Sequence, residues 1–114
     1  METISFEDFI KLEIKIGKIF SAEKVDGSDK LLKLSVDFGK NEAGEVITRQ
    51  IIAGIGKIYA PEALVGKECP FAYNLAPRML KGLESQGMIL CPSDEGSPVL
   101  LHPDKEIAPG SQVK

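Results

Sequence analysis

The chain has 114 residues, enough for one domain with a modest core. Apolar residues make up 43% and charged residues 27%, the balance of a folded globule rather than a disordered chain. A formal net charge of −3 argues against the uniformly basic surface of an indiscriminate nucleic-acid binder, but leaves room for a local basic patch.

The acidic excess sits at the two ends, with Glu2, Glu7 and Asp8 at the start and Asp94, Glu95, Asp104 and Glu106 near the finish; the middle is slightly positive. In "ISFEDFIKL", Ser5 stands three residues before Asp8 and predicts a capped helical turn. "KLEIKIGKIFSAEKV" starts as a strand with Leu12, Ile14 and Ile16 on one face. Ile19 then falls out of phase, which predicts a bend or bulge at Gly17. After the turn "VDGSDK", "LLKLSVDFG" alternates again, with Leu32, Leu34, Val36 and Phe38 inward. "VITRQIIAGIG" reads as a third strand. "APEALVGK" reads as a helical turn begun by Pro61 and stopped by Gly66. "ECPFAYN" and "GMILC" read as fourth and fifth strands, "SPVLLHP" as a potential sixth, and "IAPGSQVK" as an irregular end. With no internal repeat or linker, residues 1–114 are expected to form a single all-β domain. Five short strands, one bent in mid-length, point to a small five-stranded barrel of the OB-fold type, with short helical turns and a C-terminal extension.

Catalytic patterns are thin. His102 is the only histidine and is expected at the surface. Ser85 lies in "GLESQG", which lacks the first glycine of G-x-S-x-G, and "AGIGK" lacks the spacing of a phosphate-binding loop. Cys69 and Cys91 are too few and too far apart for a disulfide framework or zinc cluster, and are expected as reduced core thiols. No enzyme activity, cofactor or metal is expected. Nor is a signal peptide or a membrane-spanning run, and a cytoplasmic location follows.

A binding surface remains. Lys30, Arg49, Arg78 and Lys81 flank the expected barrel face, where cations would contact phosphates. Ser85 and Gln86 would offer hydrogen bonds to riboses or bases. Met88 either supplies a soft apolar surface for a base or packs in the core. Tyr59 and Tyr73 either stack on bases or are structural.

The stretch "NLAPRMLKGLESQGMIL", residues 74–90, resembles the motif N-L-K-P-[RK]-K-[ML]-[RK]-G-V-x-S-x-[GA]-M of the EMAP-II-like tRNA-binding domains. "KLEIKIGKI", "DKLLKLSVDFG" and "RQIIAGIGKIYAPEALVGK" resemble other segments of that family, and the likeness covers about residues 5–114. Such domains occur appended to methionyl-tRNA synthetase and as a stand-alone dimeric tRNA-binding protein. The resemblance implies a non-catalytic domain that binds tRNA by shape, often as a homodimer and in association with an aminoacyl-tRNA synthetase. It implies a tRNA site of Lys30, Arg49, Asn74, Arg78, Lys81, Ser85, Gln86 and Met88. Ala76 and Met79 stand where the family usually has lysines, which implies a weaker, salt-sensitive complex. A protein-assembly module, or a CsaA-type chaperone of similar fold that binds peptides in an apolar groove, is the alternative.

Overall fold

The computed structural model describes residues 1–114. A turn of helix, α1 (Phe6–Phe9), opens the chain, with the Ser5 hydroxyl accepting the Asp8 amide at 3.1 Å as the capping pattern predicts. Three long antiparallel strands follow: β1 (Ile14–Lys24), β2 (Leu32–Lys40) and β3 (Val46–Ala53). After the helical turn α2 (Pro61–Leu64) come β4 (Glu68–Ala72), the hairpin β5 (Arg78–Leu80) and β6 (Leu83–Ser85), and the short β7 (Met88–Ile89). Two-residue bridges β8 (Ser93–Asp94), β9 (Ser97–Pro98) and β10 (Gln112–Val113) complete the chain.

The main sheet runs β3-β2-β1-β4-β7, with β10 added beside the start of β1. It curls so that β3, at one edge, lies against β7 at the other, with β6 of the separate β5–β6 hairpin also packed on β3. The all-β expectation holds. Leu32, Leu34, Val36 and Phe38 are buried on the concave side together with Ile19, Ile51, Leu64, Cys69 and Phe71. Phe38 anchors the floor, edge-on to Phe71 at 5.4 Å and to Tyr73 at 4.9 Å.

The bend in β1 lies further along than expected. Pairing with β4 is unbroken from Ile14 to Lys18, so Gly17 is in register. The register shift falls between Ile19 and Ser21, leaving Phe20 as the exposed extra residue. Ile16 and Ile19 are both buried because the strand is covered on both faces. Ile19 points into the sheet's concavity. The C-terminal extension continues its pairing beside the start of β1, with Ile16 bonded to Ser111 and Gly110 through backbone at 2.8 and 2.7 Å. Gly17 has a packing role instead. A Cβ there would collide with Val36 and approach Phe38 to 2.8 Å, so its missing side chain lets β2 curl over β1.

The "SPVLLHP" stretch gives only the β9 bridge, because its Leu100 packs on the core from an irregular segment. The extension is pinned by Glu68, a carboxylate only 9% exposed, whose Oε1 accepts the Ile107 amide at 3.0 Å. His102, exposed as expected, donates from Nδ1 to the Glu68 carbonyl at 2.7 Å. No helix is long and apolar enough to cross a membrane.

Replacing Gly17 with Ala should overpack this crossing and cost about 1–3 kcal/mol. A urea titration of the two proteins would show it as a lower midpoint with an unchanged slope.

Candidate nucleic-acid interface

The sequence places no strand between Asn74 and Gly87, yet β5 and β6 form a tight hairpin there. Its two turn residues, Lys81 and Gly82, have φ of 51° and 78°. Positive φ at both central residues is the hairpin turn whose twist matches the flanking strands, and Gly82 makes it accessible. The hairpin holds Arg78 and Lys81 exposed.

Side chains of the motif that follows turn inward and bridge the open edge of the curled sheet. Ser85 is 4% exposed; its Oγ accepts the Ile52 amide at 2.9 Å and donates to the Gly87 carbonyl at 2.9 Å. Gln86 pairs with Gln50 as a strand would, its amide donating to the Gln50 carbonyl at 2.8 Å. The Gln86 Oε1 takes the Gln50 amide at 2.9 Å, and Gln50 Nε2 donates to the Glu84 carbonyl at 2.9 Å. Gly87 closes the seam, since a Cβ there would sit 2.8 Å from the Ala72 carbonyl and 2.9 Å from Ile51, and its φ is 150°.

Arg49 and Asn74 are held the same way. Arg49 Nη1 donates to the Tyr73 carbonyl at 2.6 Å and to the Gln86 carbonyl at 3.4 Å, while its guanidinium lies 3.7 Å from the centre of the Tyr73 ring. Lys15 Nζ approaches that ring to 4.2 Å. Asn74 Oδ1 accepts the Glu13 amide and its Nδ2 donates to the Lys11 carbonyl, each at 2.7 Å, locking the approach to β1. Tyr59 is engaged as well, its hydroxyl bonding the Pro98 carbonyl and the Leu100 amide. Both tyrosines therefore have structural partners.

Lys30, Arg78 and Met88 are brought together around one groove of about 460 Å³. Ile52, Leu80, Ile89 and Leu90 supply its apolar floor, with the Cys91 thiol beside them. Met88 is 45% exposed, so its side chain presents surface and does not fill the core. Ion pairs form at Lys11–Asp8, Lys15–Glu13, Lys33–Glu23 and Lys57–Asp29, and none involves Lys30, Arg78 or Lys81. Lys81 lies apart from the groove, in a separate hollow of mixed charge with Lys24, Lys33, Glu23 and Asp26. The apolar floor is absent from the sequence expectation, although "QIIAGI" carries its signal. Consecutive buried Ile51 and Ile52 mean that the strand is covered on both faces.

Burial pushes the Cys69 thiol from its ordinary 9.0 up to about 12, with the neighbouring Cys91 thiol adding to the effect. Burial also raises Cys91. Both are therefore thiols rather than reactive thiolates at neutral pH. No group of three or more His, Cys, Asp or Glu is placed to hold a metal ion.

Unpaired cations on the rim of an apolar groove, carried by a curled all-β scaffold, define a binding module. The family model described as "Putative tRNA binding domain" matches residues 14–112, and the chain belongs to that family. It is 49% identical over 113 residues to methionine–tRNA ligase of Caldanaerobacter subterraneus subsp. tengcongensis, and 51% identical over 114 residues to that of Porphyromonas gingivalis. In both cases 99% of this chain is covered, but it spans only 17% and 16% of those relatives' length. Its structure is similar to that of a MetRS-related protein from Pyrococcus horikoshii, with a TM-score of 0.90, 36% identity and full coverage of both chains. It is also similar to the chaperone CsaA of Bacillus anthracis, with a TM-score of 0.84, 32% identity and coverage of 99% and 100%. The matched region is the tRNA-binding part of the family, a non-catalytic module.

Ser85→Ala should destabilise the protein by about 1–3 kcal/mol, since it strands the buried Ile52 amide. Met88→Ala should cost far less, because a half-exposed side chain leaves little cavity. Thermal melts of both variants, without any nucleic acid, separate the two roles.

Proposed function

We propose that this chain binds tRNA on the face that carries the groove and the β5–β6 hairpin. Its scaffold is read as an OB-type barrel, and the chain itself as non-catalytic. The observation that carries the reading is the convergence of unpaired Lys30 and Arg78 on one apolar groove bordered by Met88. In this reading Lys30, Arg78 and Lys81 contact phosphates, and Met88 contacts a base or ribose. Arg49, Asn74, Ser85 and Gln86 contribute by holding the hairpin at the groove's edge, because their polar atoms are already engaged within the protein. Backbone contacts of this kind recognise shape more than sequence.

Likeness to part of methionine–tRNA ligases supports a place as an appended or associated module of an aminoacyl-tRNA synthetase. There it would add tRNA affinity to a catalytic body. Those partners put its work in the cytoplasm. A second reading, peptide binding by a chaperone or assembly module, draws on the apolar floor of the same groove and on the likeness to CsaA. The unpaired rim cations favour the polyanion.

Titrating total tRNA at several salt concentrations tests this. Lys30→Ala combined with Arg78→Ala should weaken binding and reduce the slope of log K against log salt by about 1.8, the release of two counterions. Melting temperature should be unchanged, as exposed unpaired cations contribute little to stability. An unaltered slope in the folded double variant would remove this face from the site.

A homodimer is proposed with it. Both chain ends meet at the start of β1, where Ile14 pairs with Val113. Ile4, Phe6, Phe9 and Ile10 at the N-terminus, and Leu101 and Ile107 in the C-terminal extension held at Glu68, are exposed. Two copies covering these residues would bury apolar surface and present two basic faces to one tRNA. Light scattering at micromolar concentration should give twice the chain mass of 12.4 kDa; a monomer mass would refute the pairing.

A further inference from the structure

Resting on the tRNA reading, we infer that the groove takes a single unstacked nucleotide, its base lying on the apolar floor and its flanking phosphates at Lys30 and Arg78. Three observations carry this. The groove, about 460 Å³, lies within the range of about 300–1,000 Å³ typical of sites that enclose a small organic group. Its floor is aliphatic and thioether surface from Ile52, Leu80, Met88, Ile89 and Leu90. Its two cations stand on the rim and are free of carboxylate partners.

A fully paired RNA helix cannot use that floor. It offers phosphates and a shallow, hydroxyl-lined minor groove, so the floor would lose water and gain no apolar partner. A base turned out of its stack has an apolar face that matches the floor, and phosphates on either side that match the rim. The groove also continues past Met88 into a smaller hollow between Leu75, Ala76 and Leu80, which extends the apolar track toward the hairpin. Apart from the Cys91 thiol, no side chain on the floor offers a hydrogen bond to a base edge. The side chains of the floor therefore hold the base by its face. No aromatic ring lies in the groove, Tyr73 being covered by Arg49 and Tyr59 tied to the C-terminal extension. The contact is accordingly weaker than aromatic stacking.

Competition against labelled tRNA tests the inference with three unlabelled probes: total tRNA, a perfect RNA duplex, and the same duplex carrying one unpaired nucleotide. The bulged duplex should compete about five- to tenfold better than the perfect one, the scale of one buried apolar contact. In Met88→Ala that advantage should shrink to about twofold or less while the salt slope of tRNA binding stays the same. Equal competition by the two duplexes, with tRNA still bound, overturns the nucleotide pocket and leaves the tRNA reading intact. An advantage that persists undiminished in Met88→Ala places the unpaired base elsewhere and overturns the pocket too. Failure of tRNA itself to bind, with an unfolded apolar peptide bound instead, overturns both readings and assigns the groove to peptide.

Discussion

One hydrogen bond decides how the sheet closes: the Ser85 hydroxyl taking the Ile52 amide at 2.9 Å. A strand would normally supply a carbonyl there. At this seam the facing segment turns at Gly87, and a side chain does the work of a ladder. Gln86 repeats the device on the Gln50 amide, and Arg49 reaches across the same seam to the carbonyls of Tyr73 and Gln86. Buried backbone groups left unpaired are expensive. The short polar run Ser85-Gln86-Gly87 therefore sets where β3 can end, where the β5–β6 hairpin stands, and how the groove between them is shaped.

That arrangement separates two kinds of polar residue within one stretch of sequence. The amides, the hydroxyl and Arg49 have their hydrogen bonds made inside the protein. Arg78, Lys81 and Lys30 form no ion pair. An acidic chain can in this way offer a locally positive rim, because a polyanion responds to the nearby field more than to the net charge of −3. The apolar floor beside that rim lowers the local dielectric and strengthens each contact made at its edge.

Much of the scaffold was legible from residue patterns. Alternation in "LLKLSVDFG", the cap at Ser5 and the proline at the first helical position, Pro61, mark elements that depend on neighbours in sequence. Other features depend on partners far along the chain. The bulge at Phe20 lies beyond Gly17 because the pairing with β4, some fifty residues away, holds Gly17 in register. The β5–β6 hairpin escaped because its strands have three residues each and no alternation to detect. Of the candidate site, the motif located the right region but not the direction of its side chains. Nothing local distinguishes a serine that faces RNA from one that clasps Ile52. The groove's floor draws on residues from separate stretches, Ile52 from β3, Leu80 from the hairpin and Met88 to Leu90 from β7 and beyond, which no local pattern links.

Separation of clasp from rim has a consequence for how such a domain can drift. A change at Ser85, Gln86 or Gly87 perturbs folding first. A change at an exposed hairpin position such as Met79, or on the surface at Ala76, alters charge or apolar area while leaving the clasp untouched. Affinity for a polyanion can then rise or fall by single surface substitutions at almost no cost in foldedness. The same framework can serve as a tight grip or a fleeting one, according to how many lysines its hairpin displays.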